Sequence, residues 1–168
     1  MDRRAICFFA IWWSQPCTGA RFRKGPLDLA VVSVATTVRE PMNFTVLIVD
    51  DSKLARMSVA KSLSALQPGW SRVEATNADE ALALARQSAP DIALLDFNMP
   101  GRDGLSLAGE IRNIAPDMPI AIVSANLQTE IVSRTNEIGA TFLAKPLTEE
   151  ALGAFLADAA QRLRSASR

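Results

Sequence analysis

The chain has no histidine among its 168 residues, and this absence excludes several kinds of chemistry. Without an imidazole there is no Ser/His/Asp or Cys/His catalysis, no histidine-ligated zinc site and no phosphohistidine carrier. The two cysteines, Cys7 and Cys17, both lie near the N-terminus. The rest of the chain therefore has no disulfide framework and no thiolate metal site, which fits a reducing cytoplasm.

Long apolar runs and clustered basic charge are also scarce. The apolar run at residues 5–13 has nine residues, which is too short to cross a bilayer. The zero net charge is divided into +3 over residues 1–41 and −3 over residues 42–168. A mildly acidic domain lacks the excess of basic residues that binding of nucleic acid requires. We therefore expect neither a nucleic-acid partner nor a membrane partner.

The composition changes at Met42, where we expect a boundary. Residues 1–41 show no regular alternation of strand-like and helix-like segments. We expect this N-terminal extension to reflect a start site assigned too far upstream, with a disordered extension and a membrane-touching tail as the alternatives. Residues 42–168 are expected to form one domain, because the chain is 49% hydrophobic and alternates regularly from this point.

Five short apolar segments alternate with five amphipathic segments after Met42. The predicted strands are residues 46–49, 73–76, 92–95, 120–123 and 141–144. The predicted helices are residues 52–66, 77–88, 105–115 and 127–138, followed by one that begins after Thr148. Strict alternation with short connections predicts an α/β fold, in which helices cover both faces of a parallel five-stranded sheet.

Polar residues follow four of the predicted strands. The first strand runs into Asp50 and Asp51, the third into Asp96, the fourth into Ser124 and the fifth into Lys145. The carboxyl ends of parallel strands meet at one edge, which is where ligands bind in such sheets. Three acids gathered there raise one another's pKa, so they cannot all stay ionised unless a cation is bound. Each residue alone has an ordinary role as a helix cap, core residue or surface residue, but together they indicate a metal site.

Four motifs at these strand ends resemble those of the receiver domains of two-component response regulators. They are LIVDDS, LLDFNMPGRDGL, IVSAN and FLAKP, and the resemblance covers about residues 43–165. It implies a flavodoxin-like, doubly wound (βα)5 fold with strand order 2-1-3-4-5. It also implies a signalling phosphoacceptor rather than an enzyme, which takes its phosphoryl group from a histidine kinase or a histidine phosphotransfer protein.

The resemblance implies a role for each residue at this edge. Asp96 matches the phosphoacceptor. The ligands of Mg²⁺, for which Mn²⁺ can substitute, match Asp50, Asp51, Asp96 and the backbone carbonyl of Asn98. The phosphoryl-binding and switch residues match Ser124, Phe142 and Lys145. The Lys145–Pro146 bond is expected to be cis, and Asn98 and Asn126 match positions that tune the lifetime of the aspartyl phosphate.

We expect a stand-alone response regulator, because only residues 165–168 follow the last predicted helix. Such a protein would be a cytoplasmic monomer or weak dimer that signals by phosphorylation-controlled protein binding. The expected effector surface comprises the segment from Leu127 to Ile138, residues 141–144 and the C-terminal helix. One alternative is a phosphorelay intermediate or phosphate sink between histidine proteins. Another is a Mg²⁺-dependent phosphatase. That family uses a second aspartate as general acid two residues after the nucleophile, and here this position is Asn98.

Overall fold

A computed structural model of the chain describes residues 43–166, in which five strands alternate with five helices. The strands are β1 (Thr45–Val49), β2 (Ser71–Ala75), β3 (Ile92–Asp96), β4 (Ile120–Ser124) and β5 (Thr141–Ala144). The helices are α1 (Lys53–Leu66), α2 (Ala78–Ser88), α3 (Gly104–Ile114), α4 (Thr129–Glu137) and α5 (Glu149–Ala166). The predicted alternation is confirmed, whereas the predicted extension at residues 1–41 lies outside the described part.

The five strands form one parallel sheet in the order β2-β1-β3-β4-β5, as predicted. In its register Val49 pairs with Leu95, and Asp96 pairs with Val123. The carboxyl ends of the central strands therefore lie side by side. This edge is where the strand order reverses direction between β1 and β3, the position at which doubly wound sheets bind ligands.

Two hydrophobic clusters hold the sheet between its helices. One face, including Leu47 and Leu95, packs with residues of α2 and α3. The opposite face, including Ile48 and Leu94, packs with residues of α1 and α5. Successive residues of a strand point to opposite faces, so strands covered on both sides are apolar throughout. Each such buried leucine or isoleucine contributes roughly 1.5–3 kcal/mol, which makes the sheet a firm support for its polar edge.

Side-chain caps fix the starts of several helices. Ser52 caps α1, Asn77 caps α2 and Asp103 caps α3, each by accepting a backbone N–H three residues further on. Helix α4 differs, because no side-chain hydrogen bond of Gln128 caps it within the described structure. It also begins later than predicted, since the Asn126 side chain accepts the N–H of Gln128 at 3.1 Å and holds a turn there.

None of the helices formed by residues 43–166 combines the length and the apolar character that crossing a membrane requires.

Candidate functional site

Four strand ends bring the predicted site residues to one edge of the sheet. Asp96 and Ser124 are the last residues of β3 and β4, while Asp50 and Lys145 directly follow β1 and β5. One carboxylate oxygen each from Asp50, Asp51 and Asp96 lies within 4.8 Å of the other two. The three acids are therefore close enough to bind one cation together.

Lys145 bridges the two buried acids. Its Nζ lies 3.0 Å from Asp50 Oδ2 and 2.9 Å from Asp96 Oδ1. The side chains of Asp50 and Asp96 are only 8% and 4% exposed, whereas Asp51 is exposed to solvent. The peptide bond between Lys145 and Pro146 is cis. One lysine therefore neutralises part of the charge of three acids, and the site retains an excess of negative charge.

The pKa values in the pair follow from burial and from these charges. Burial raises the pKa of Asp96 above its ordinary value, Lys145 opposes this, and the charge of Asp50 adds to it. Burial alone would lower the pKa of Lys145, but Asp96 and Asp50 outweigh it and the pKa is raised. Lys145 therefore remains a cation at neutral pH.

The donor atoms at this edge fit a hard divalent cation. Mg²⁺ prefers oxygen ligands, and the cluster offers oxygens from three carboxylates. The buried Asp96 Oδ1 pairs with the Lys145 ammonium at 2.9 Å. A carboxylate has lone pairs on both oxygens, so Asp96 can still accept a ligand. Asn98 is exposed in the loop after β3.

Ser124 and Phe142 lie on the same side of the sheet. Ser124 is fully buried, and its Oγ accepts the N–H of Asn126 at 3.0 Å. In the register of β4 and β5, Ser124 pairs with Ala144, and Phe142 pairs with Ile122 two residues earlier. Residues two apart on a strand share a face. The half-buried Phe142 is therefore on the face of Ser124, offset by two residues along the strand.

A cavity of about 230 Å³ opens beside Asp96 and Lys145. Apolar residues of its wall include Val59, Leu94 and Leu147. These apolar walls border one side of the acid cluster, and the burial of Asp96 raises its pKa. A small group brought to Asp96 thus enters a site with a partly apolar wall.

Two residues to which the sequence analysis gave no role at the site support this edge. A Cβ at Gly104 would lie against the backbone carbonyl of Asp96, so glycine allows α3 to begin there. Arg56 Nη1 donates to the backbone carbonyl of Asp50 at 2.8 Å. For Gly104, a glycine directly before the predicted helix at residues 105–115 is the available sequence signal. The contact of Arg56 has no signal in the sequence.

Comparisons with known proteins agree on one family. The family model described as "Response regulator receiver domain" matches residues 46–157. The sensor histidine kinase RcsC of Salmonella typhi is 34% identical over 139 residues, covering 82% of this chain but only 14% of the kinase. Sporulation initiation phosphotransferase F of Bacillus subtilis is 30% identical over 106 residues, covering 62% of this chain and 84% of that protein.

A solved structure shows the same fold. The chemotaxis protein CheY4 of Vibrio cholerae matches with a TM-score of 0.64 and 29% identity, over 70% of this chain and 99% of that one. The family match covers more than half of the chain, and it includes every strand-end residue of the site. The chain therefore belongs to the response regulator receiver domain family.

Proposed function

We propose that Asp96 accepts a phosphoryl group from a phosphohistidine of a histidine kinase or a histidine phosphotransfer protein. The observation that carries this proposal is the bridge of Lys145 between two buried carboxylates, with the third acid of the cluster, Asp51, beside them. Two acids on one lysine, with a third beside them, make a site that is completed by an added cation and an added anion.

The transfer needs positioning and charge neutralisation more than covalent help from the protein. A carboxylate oxygen of Asp96 attacks phosphorus as the bond from phosphorus to the donor nitrogen breaks, and the imidazole leaves with that electron pair. Lys145 stabilises the negative charge on the phosphoryl oxygens. Asp50, Asp51, Asp96 and the carbonyl of Asn98 would hold Mg²⁺ or Mn²⁺, which supplies further charge neutralisation when bound.

The phosphoryl group then acts on Ser124. Its hydroxyl already accepts the N–H of Asn126, so its proton is available for donation to a phosphoryl oxygen. Movement of Ser124 toward that oxygen leaves space on the face that it shares with Phe142. Phe142 turns into this space, and the surface at β5 changes. Because phenylalanine has no hydroxyl, this switch works by packing and not by a hydrogen bond from the ring.

Asn98 and Asn126 are proposed to set the lifetime of the aspartyl phosphate. Each lies two residues beyond a strand-end site residue, Asp96 or Ser124. Their amides carry no charge that would orient an attacking water molecule. We therefore expect hydrolysis at a moderate rate.

The output is proposed to be a protein contact on the surface made by α4, β5 and α5. A groove there includes Val132, Asn136, Phe142 and Arg162 along its walls, so it contains the proposed switch aromatic. The protein would work in the cytoplasm as a single-domain regulator and as a monomer or weak dimer. A second candidate is a relay role, because the Bacillus subtilis relative is a sporulation initiation phosphotransferase by name.

Labelling of the full chain with acetyl phosphate and Mg²⁺ tests the proposal. Intact-mass spectrometry should show the gain of one phosphoryl group that is stable to acid and removed by hydroxylamine. Asp96→Ala should abolish this gain, whereas Asp117→Asn, a change of an exposed acid far from the site, should leave it unchanged. Retention of the label in Asp96→Ala would refute the assignment.

Transfer from the labelled protein separates the two outputs. If the role is to bind an effector, candidate histidine phosphotransfer proteins should not remove the label rapidly. Rapid and complete loss of the label to one of them would favour the relay role instead.

A further inference from the structure

Every polar group of Asp50 has a partner. Its N–H donates to the carbonyl of Ala75 at 3.3 Å, and its Oδ1 accepts the N–H of Ser52 at 2.8 Å. Its Oδ2 lies 3.0 Å from Lys145 Nζ. Its backbone carbonyl accepts a hydrogen bond from Arg56 Nη1 at 2.8 Å. Arg56 is therefore the side chain that holds this carbonyl.

The orientation of this carbonyl constrains where the next acid lies. The carbonyl of Asp50 and the nitrogen of Asp51 belong to one planar peptide unit. Holding the carbonyl therefore fixes the plane from which the Cα–Cβ bond of Asp51 departs. Asp51 itself is exposed, and its carboxylate has no hydrogen bond or ion pair with the rest of the described chain. Its backbone is thus the means by which its carboxylate is directed toward Asp50 and Asp96.

Arg56 is itself firmly held. Its side chain is only 12% exposed, and its Nε lies 3.4 Å from Glu74 Oε2 on β2. Glu74 also pairs with the more exposed Arg72 at 3.2 Å. The hydrogen bond from Arg56 goes to a backbone carbonyl, so it leaves the carboxylates of the cluster available to a cation.

We propose that Arg56 is a positioning residue for the metal site, which it serves by fixing the Asp50–Asp51 peptide so that both carboxylates face one cation. This inference rests on the proposed metal-binding role of the two acids. In a variant of Arg56, the loss of its charge and the loss of its hydrogen bond would change the metal affinity in opposite directions. Loss of a cation near the acids would strengthen the binding of a divalent ion by Coulomb's law, whereas loss of the peptide's support would weaken it.

The test measures Mn²⁺ affinity without any phosphodonor, by the electron paramagnetic resonance signal of the free ion. Arg56→Met keeps much of the buried stem but loses the donor and the charge. Removal of a residue that orients metal ligands typically costs 10- to 100-fold in affinity, so we expect about 10-fold weaker binding. Arg56→Lys keeps the charge and a donor, and its affinity should lie between the two.

Arg72→Met is the matched control, because it removes the same charge from the same Glu74 without touching Asp50. Its affinity should stay within roughly twofold of the wild type, since an exposed charge is well screened. Thermal unfolding followed by circular dichroism verifies that each variant is folded.

Unchanged or tighter binding in Arg56→Met would overturn the role of Arg56, as would equal weakening in Arg56→Met and Arg72→Met. A wild-type chain that binds no Mn²⁺ would contradict the proposed metal site itself. The two failures are therefore distinguishable.

Discussion

Two glycines of α3 provide a paired test of how the helix meets the phosphoacceptor strand. Gly104 is the first residue of α3, and Gly109 lies in its middle. A Cβ at Gly104 would lie against the backbone carbonyl of Asp96 and 3.0 Å from the Cα of Phe97. No described atom lies within 4 Å of a Cβ at Gly109. The same substitution to alanine should therefore have opposite effects at the two positions.

The expected magnitudes follow from these contacts. The atoms that crowd position 104 are backbone atoms, so either the start of α3 or the end of β3 must move. Overpacking of this kind costs about 1–3 kcal/mol, and the smaller entropy of the unfolded alanine chain offsets about 0.4–1 kcal/mol of it. Gly104→Ala should thus lower the free energy of unfolding by roughly 1–2 kcal/mol. Gly109→Ala should raise it by about 0.5–1 kcal/mol, the helix preference of alanine.

Urea unfolding followed by far-ultraviolet circular dichroism measures both changes. Labelling by acetyl phosphate, measured on the same samples, should fall in Gly104→Ala because the carbonyl of Asp96 is displaced. It should be unaffected in Gly109→Ala. If Gly104→Ala were as stable as the wild type, or were stabilised like Gly109→Ala, the reasoning about this close approach would be wrong.

Three further outcomes are expected. Lys145→Met should slow the labelling of Asp96 by acetyl phosphate on the order of 100-fold, because one charge-neutralising group is lost. Mass spectrometry over time measures the rate, and an unchanged rate would contradict this role of Lys145. Ser124→Ala should still be labelled. In the wild type, labelling should shift the nuclear magnetic resonance signals of the Phe142 ring, and this shift should disappear in Ser124→Ala. A shift of wild-type size in the variant would exclude the hydroxyl as the link. Hydrogen bonds from the backbone N–H and the hydroxyl of Thr76 lower the pKa of Glu80. The charge of Glu80 therefore stabilises the fold at pH values above its unfolded-state pKa. This stabilisation is lost as the pH falls through the lower pKa of the folded state. Glu80→Gln should therefore be less stable than the wild type in urea at neutral pH, and a difference that persisted in strong acid would refute the charge as its cause.

The sequence predicted the order of the elements because the signals are local. Apolar runs define the central strands, and Asn77 followed by Glu80 marks the start of α2, where the structure has the expected cap at 2.9 Å. The predictions were less good where tertiary contacts decide. Strand β2 begins at Ser71 rather than at residue 73, because pairing with β1 extends it that far. Its Arg72 and Glu74 are exposed on this edge strand, so the apolar pattern did not reveal where it begins.

The site was predictable to the extent that strand ends carry unusual residues. Three aspartates and a lysine after apolar runs can be read from the chain, and parallel pairing brings them together. The supports of these residues cannot be read in this way. The bond from Arg56 to the carbonyl of Asp50 depends on how α1 packs against β1, and the fit of Gly104 depends on the approach of α3 to β3. Both are properties of the packed structure and not of a motif.

The most direct test of the central claim is to locate the phosphorylated residue chemically. Full-length protein labelled with acetyl phosphate and Mg²⁺ is treated with borohydride, which reduces an aspartyl phosphate to homoserine, and its peptides are then sequenced by mass spectrometry. The account predicts homoserine at position 96, with unmodified aspartate at positions 50 and 51. Homoserine at position 50 or 51, or labelled protein without homoserine, would contradict it.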